Sequence, residues 1–258
     1  WPQGKTQPVP VSAETRNYKA RAVERRPGMA WRLSSYSSLI GSSRGKEAIR
    51  EPDARDYDVL SEDTKDTGDD DLTVPMSENP ALDILDFPAG ATAGHCIHSV
   101  FERIDFQDET KWEGIITDVL SNYPPGETAL KKDEQIVMVR RMLTDVLGAK
   151  LPGGFILRQV SLQRRLTELE FAYPVDHLDP GALNRLLARH DRHVPTLTFP
   201  ALEGFLRGFI DLVFESEGRW YVLDWKSNKT GVRAEDYSRR RLDEEMFRHA
   251  YEFQGLIY

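Results

Sequence analysis

The sequence predicts an α/β fold, because stretches typical of β-strands alternate with stretches typical of amphipathic helices. Two apolar runs, 205–214 and 220–226, flank a short polar segment and predict a β-hairpin. A further strand is predicted at 166–174. Apolar residues recur every three or four positions in 94–104 and 132–147, which predicts two helices. Together these elements predict a sheet flanked by helices.

The predicted hairpin brings two acidic side chains together. Its turn is centred on Glu217 and Gly218, and Gly218 can take the positive φ that a tight turn needs. This register pairs Asp211 with Asp224, with Cβ atoms roughly 5 Å apart. Lys226 follows Asp224 by two residues and therefore shares its face of the strand.

Two facing carboxylates repel each other, so something must compensate for their charge. Apolar neighbours on both strands predict that Asp211 and Asp224 are partly buried. A hard divalent cation such as Mg²⁺ is bound by one or two carboxylates, and Lys226 could then orient a water or neutralise phosphate charge. The pattern therefore indicates metal-assisted phosphodiester hydrolysis. The alternative is a solvent-exposed sheet face on which Lys226 is an ordinary surface partner.

Three sequence blocks resemble the PD-(D/E)xK nuclease superfamily: GFIDLVF (208–214), YVLDWKSN (221–228) and YEFQGLIY (251–258). The similarity is greater to its RecB-like nuclease domains and runs from about Trp31 to Tyr258, with a gap around 40–85. The resemblance implies a restriction-endonuclease-like fold, in which helices flank a mixed central sheet. It also implies Mg²⁺-dependent hydrolysis of DNA, of the exodeoxyribonuclease V type.

The resemblance also implies a set of metal ligands. The family's helix histidine falls on His98, and the metal would be held by His98, Asp211, Asp224 and the backbone carbonyl of Trp225. Without the family, His98 could equally be a helix-surface histidine bonded to Glu102, four residues further on.

Further residues receive catalytic or supporting roles from the same resemblance. Lys226 would assist the attacking water, and the family's strand glutamate falls on Glu168, which would support the metal directly or through water. Glu170 lies on the same face of the predicted strand and is expected to be peripheral. Spacing alone does not separate these two glutamates.

The last predicted helix carries Tyr251, Gln254 and Tyr258 on one face. In the family this face lies against the active site, where Gln254 and Tyr258 would position DNA or catalytic groups. Considered without the family, such an aromatic stripe is more often core packing. Lys229, with four nearby arginines, could bind phosphate, or the arginines could pair with acids on a solvated helix: Arg233, Arg239, Arg240 and Arg241 against Asp243, Glu244 and Glu245.

Three weaker elements complete the prediction. Residues 155–162 alternate like a strand, and 180–190 predict a helix that turns Leu183, Leu186 and Leu187 inward. Ser35 or Ser37 is expected to cap a short helix.

The chain divides into a linker and a nuclease domain. Residues 1–30 are rich in Pro and Arg and are expected to link an upstream helicase domain to a nuclease domain at 31–258. Segment 41–78 is predicted to be disordered, and 51–71 alone accounts for the whole formal net charge of −8. The sequence begins with Trp1, and the resemblance implies that the C-terminal end of the domain is missing.

The expected partners are DNA and, from the resemblance, RecC- and RecD-like subunits in a heterotrimer. The chain has no phosphate-binding Gly-x-x-x-x-Gly-Lys-Ser/Thr loop, so ATP would act only through helicase domains absent here. The single cysteine, Cys96, excludes an internal disulfide and is expected to pack as a small hydrophobe. No apolar run reaches the ~20 residues of a membrane helix, so no membrane association is expected and the predicted location is cytoplasmic. The alternative function is a catalytically inactive, nuclease-like scaffold that binds DNA or a partner.

Overall fold

The computed structural model describes residues 31–43, 83–126 and 128–258. Within these ranges the chain forms a four-stranded sheet and seven α-helices, which confirms the predicted α/β class. The strands are β1 (Trp31–Ser34), β2 (Arg165–Leu178), β3 (Leu202–Ser216) and β4 (Arg219–Leu223). The helices are α1 (Tyr36–Ser43), α2 (Ala91–Arg103), α3 (Trp112–Asn122), α4 (Lys132–Gly148), α5 (Pro180–Arg189), α6 (Arg239–Arg248) and α7 (Tyr251–Ile257).

Strand β3 is the centre of the sheet. Antiparallel β2 pairs with it from Leu202 to Phe214 and takes up one edge. The other edge is shared, because β1 pairs in parallel with 203–206 and β4 pairs antiparallel with 212–216. The sheet is therefore mixed, as the family resemblance implies.

The hairpin has the predicted register. Leu212 pairs with Leu223 and Ser216 with Arg219, which centres the turn on Glu217 and Gly218. Both turn residues have positive φ, 53° and 73°, as a two-residue type I′ turn requires.

The predicted extent of the second hairpin strand is wrong. Strand β4 ends at Leu223, so Asp224, Trp225 and Lys226 follow the strand instead of belonging to it. The Trp225 N–H donates to Oδ2 of Asp211 at 2.6 Å, a side-chain acceptor in place of a strand carbonyl. Asp211 and Asp224 therefore lie just beyond the last pair of the ladder, where the backbone leaves the sheet.

Two hydrophobic cores lie along β3. The first packs α2, α3 and α4 against Leu212 and Phe214, and its fully buried residues include Trp112, Val139 and Leu143. The second packs α1, α5 and α7 against Leu202 and Leu206. The predicted helices at 94–104 and 132–147 are both present, although α2 begins three residues early, at Ala91.

Some sequence predictions are wrong. Residues 155–162 do not form a strand; they form one bridge (Lys150 with Ile156) and short 3₁₀ turns that bury Leu157 and Val160 in the first core. In α5, Leu187 is buried but Leu186 is half exposed, because only one narrow face of this helix meets the second core.

The N-terminal part of the domain agrees with one prediction and corrects another. Ser35 precedes α1, and its hydroxyl accepts the N–H of Ser38 at 3.3 Å, as predicted for a cap. Residues 41–43 belong to α1, so the predicted disorder does not begin at 41. The remainder of the acidic segment to 78, and the predicted linker 1–30, lie outside the described residues. No helix in the described ranges combines the length and apolar character needed to cross a membrane.

Gly204 allows β1 to lie against β3. It has φ of +136°, and a Cβ at this position would lie 2.1 Å from the carbonyl oxygen of Arg32, its partner in β1. We expect Gly204→Ala to lower the free energy of unfolding by at least about 2 kcal/mol, because the clash involves backbone and cannot be relieved by a rotamer change. Thermal unfolding followed by circular dichroism measures this. Gly114→Ala in α3, where a Cβ meets nothing within 4 Å, is the control and should stabilise by about 0.5–1 kcal/mol; equal unfolding temperatures for the two variants would contradict the interpretation.

Candidate active site

The predicted site residues converge at the end of the hairpin. β3 contributes Asp211, and the segment that follows β4 contributes Asp224 and Lys226. Helix α2 brings His98 from one side, and α7 brings Gln254 from the other. The cluster thus combines elements that are far apart in the sequence.

Asp211 lies between the loop and α2. Its Oδ2 accepts the Trp225 N–H and lies 3.5 Å from Nδ1 of His98. The side chains of His98 and Asp211 are only 4% and 11% exposed. A helix-surface position for His98 is therefore wrong, because the imidazole is buried against a carboxylate.

Asp224 is held by two donors. Its Oδ2 lies 2.6 Å from Nζ of Lys226, and its Oδ1 accepts from Nε2 of Gln254 at 3.3 Å. The same amide nitrogen lies 2.7 Å from the hydroxyl of Tyr258, and Gln254 is 3% exposed. The inner face of α7 therefore meets the carboxylate pair directly, and simple core packing does not describe Gln254.

Tyr251 supports Lys226. The ammonium lies 4.3 Å from the centroid of the Tyr251 ring, and the Tyr251 hydroxyl donates to Oδ1 of Asn228 at 2.9 Å. The ring itself stacks on His249, with centroids 5.2 Å apart. Lys226 is thereby held between an aromatic face and a carboxylate.

Two contacts that sequence reasoning missed fix the loop after β4. Trp225 stacks on Phe101 of α2, with ring centroids 4.0 Å apart and planes at 15°. Gly94 lies so close to the loop that a Cβ there would be 2.8 Å from Oγ of Ser227. A glycine inside a helix was the available signal for such a close approach.

Glu168 lies beside Asp211 in the strand register. It falls between the pairs Thr167–Leu212 and Leu169–Ile210, opposite Asp211. Its φ of 51° is in the left-handed region, which is uncommon for a non-glycine residue and typical of functional sites. Glu170 instead forms an exposed ion pair with Arg207 at 2.7 Å, in keeping with its expected peripheral position.

The basic stretch near the site is largely neutralised by acids. Arg239, Arg240 and Arg241 pair with Asp243, Glu244 and Asp236, respectively. These contacts favour the solvated, paired helix over a row of phosphate contacts. Lys229 donates to the carbonyl oxygen of Phe87 at 3.2 Å and so ties the loop to the segment that precedes α2.

The donors at the site suit a divalent cation in chemical type. Two carboxylates and an imidazole are ligands that Mg²⁺ or Mn²⁺ accept. As the side chains stand, no group of three or more His, Cys, Asp or Glu among the described residues could hold a metal ion. Lys226 and Gln254 satisfy the two oxygens of Asp224. Metal binding would therefore require these two donors to give way.

Helix α2 carries two more titratable groups beside His98. Burial lowers the pKa of His95, and the nearby His98 lowers it further, so His95 is neutral at pH 7. Burial raises the pKa of the Cys96 thiol to about 12. Cys96 is fully buried in the first core, as a small hydrophobe was expected to be.

We expect Cys96 to be inert in the native protein. The reactive thiolate is scarce because of the raised pKa, and the sulfur has no solvent access. A thiol reagent such as Ellman's reagent should give no colour at pH 8 and one thiol per chain in denaturant. Rapid reaction of the folded chain would contradict this burial.

This geometry agrees with the outcome of sequence comparison: the chain belongs to the PD-(D/E)XK nuclease superfamily, whose family model matches residues 80–258. Members of this superfamily generally use divalent metal ions. The chain is also similar to proteins named RecBCD enzyme subunit RecB. It is 30% identical to that of Escherichia coli strain K12, over 99% of this chain and 20% of the relative. The Haemophilus influenzae relative is 30% identical over 96% of this chain and 21% of its own length, and that of Mycolicibacterium smegmatis 28% over 99% and 26%. The chain therefore spans between a fifth and about a quarter of the length of these relatives.

Proposed function

We propose that this chain is a Mg²⁺-dependent nuclease domain that hydrolyses DNA phosphodiester bonds. The observation that carries the proposal is the meeting of Asp211, Asp224 and Lys226 at the end of one hairpin, with His98 and Gln254 brought to them by helices. Membership of a nuclease superfamily supports it independently.

The residues divide the chemistry between binding and proton handling. Asp211, Asp224 and His98 would hold Mg²⁺ together with the carbonyl oxygen of Trp225. When bound, the cation polarises the phosphoryl group and lowers the pKa of an attacking water. The compact, partly buried arrangement keeps bulk water from competing for these ligands.

Lys226 has the position expected of a group that acts on the attacking water and on developing phosphate charge. Its ammonium is 22% exposed and lies next to a metal-binding carboxylate, so it can reach a substrate from the same side. Tyr251 limits its freedom, because the cation is held over the ring. Gln254 and Tyr258 orient Asp224, and Glu168 would support the site from the neighbouring strand.

The similarity to RecB subunits supports a role within a larger enzyme. We infer that the chain acts as part of a RecBCD-type helicase–nuclease of the exodeoxyribonuclease V type, together with RecC- and RecD-like subunits in the cytoplasm. DNA unwinding and ATP use would belong to other segments of that assembly, in double-strand break processing and recombination. The matched share of the relatives, about a fifth, is consistent with a single nuclease domain.

A nuclease assay distinguishes this proposal from an inactive scaffold. We expect labelled DNA to be cut by the chain in Mg²⁺ and to remain intact in EDTA. A scaffold would bind the same DNA in a gel-shift assay and leave it uncut under both conditions.

A further inference from the structure

A cavity of about 370 Å³ lies beside the catalytic cluster. One wall is the segment 84–90 and the first turns of α2, and the opposite wall is the loop 225–229. His98 and Lys226 line the cavity and also belong to the cluster around the carboxylates. The cavity therefore opens where a bound phosphate would lie.

The walls of the cavity differ in chemical character. Apolar side chains line most of it, including Ile84, Ile97, Met142 and Val146. Trp225 and Tyr237 add half-buried aromatic rings, while the loop end is polar and carries Ser227, Asn228 and Lys229. An apolar, aromatic body with a few polar groups at one end is the usual construction of a site for a flat heteroaromatic ligand.

The cavity is held at a fixed width by contacts between its walls. Lys229 donates across it to the carbonyl oxygen of Phe87, and Trp225 is stacked on Phe101 of α2. The Asn228 amide is oriented by the Tyr251 hydroxyl. The site is thus built from contacts already present in the chain.

We propose that this cavity receives the base of the nucleotide adjacent to the scissile phosphate of single-stranded DNA. The inference rests on the proposed nuclease function, because it places a phosphate at Asp211 and Asp224. Lys226 and His98 border both sites, so the neighbouring nucleoside lies at the mouth of the cavity. A base in a duplex is stacked and paired and would have to be flipped out first, so a single strand is the preferred substrate.

Scanning an oligonucleotide with an abasic residue tests the proposal. A single-stranded oligonucleotide is made in versions that each lack one base, and cleavage at every phosphate is quantified in Mg²⁺. We expect the bond next to the missing base, on one side only, to be cut roughly five- to 150-fold more slowly, the range for loss of one stacked base. Uniform cleavage whatever the position of the abasic residue would overturn the proposal.

Variants that fill the cavity separate this effect from general damage. Ile97→Trp adds bulk from α2 and Ala89→Trp from the exposed rim of the opposite segment. Both should slow cleavage of the intact oligonucleotide and remove its advantage over the abasic one. Thr92→Trp is the matched control, since Thr92 is exposed on α2 outside the cavity, and it should behave as wild type. If Ile97→Trp fails to fold, Ala89→Trp decides, because its side chain is at the surface.

A binding measurement keeps the proposal testable if the chain does not cut DNA. Fluorescence anisotropy in EDTA compares binding of the intact oligonucleotide with that of a fully abasic one of the same length. Weaker binding of the abasic strand, lost in Ala89→Trp, would support the cavity even though the nuclease proposal had failed. Equal binding of both strands by a chain that does not cut would overturn the cavity proposal as well.

Discussion

Asp224→Ala is expected to abolish DNA cleavage, with a rate loss on the order of 1,000-fold or more. The substitution removes a proposed metal ligand and leaves Lys226 without the carboxylate that orients it. The fold should survive, because the lost contacts are one ion pair and one hydrogen bond to Gln254, together worth about 1–2 kcal/mol. Relief of repulsion between Asp224 and Asp211 offsets part of that cost. The measurement is the single-turnover rate in Mg²⁺, with unfolding in urea as the test of folding.

Two further variants make this result specific. Asp224→Asn keeps an acceptor for Gln254 while removing the charge, so it should be as inactive as the alanine variant and more stable. Glu170→Ala removes a carboxylate from the same sheet, but one that is half exposed and paired only with Arg207. Its activity should match wild type, since an exposed pair contributes about 0–1 kcal/mol. Mg²⁺-dependent cleavage by Asp224→Ala would refute the assignment.

Lys226→Met is expected to lower the cleavage rate by about 100- to 1,000-fold with little change in DNA affinity. Methionine keeps the apolar stem that packs near Tyr251 but removes the cation beside Asp224. Because the stabilisation is needed mainly in the transition state, the loss should fall on kcat and not on KM.

The control for charge is Lys111→Met. Lys111 is exposed, pairs with Asp108 and lies outside the site, so its loss changes net charge equally without touching the chemistry. Cleavage and affinity should both remain at wild-type values. An equal loss in the two lysine variants would show that Lys226 contributes only general electrostatic attraction.

The hairpin was predictable because its determinants are local. A Glu217–Gly218 turn between two alternating runs fixes the register within a few residues, and the structure has that register. The exit of the chain after Leu223 was not predictable in the same way. The hydrophobic pattern continues through Trp225, but this side chain packs on Phe101 in another element.

The long-range contacts of the site came from family resemblance and not from periodicity. Nothing in the local pattern of α2 distinguishes a buried His98 from a surface one, since its burial depends on how the helix packs against β3. Gln254 meets Asp224 for the same reason. The false strand at 155–162 shows the converse error: alternating apolar residues also occur where an irregular segment covers a core.

The left-handed conformation of Glu168 was equally invisible in the sequence. The surrounding residues favour a regular strand, and the register on both sides is unbroken. Such a local exception is imposed by the tertiary environment, and its position opposite Asp211 places it beside the proposed chemistry.

The central claim is that the hairpin acids and the α2 histidine share one cation. The most direct test is a crystal soaked in Mn²⁺, with anomalous diffraction recorded at the manganese edge. We predict one strong peak within about 2.0–2.4 Å of oxygens from Asp211 and Asp224 and a nitrogen of His98, with the Lys226 ammonium displaced from Asp224. The absence of such a peak at saturating Mn²⁺, with Lys226 and Gln254 still bound to Asp224, would contradict the claim.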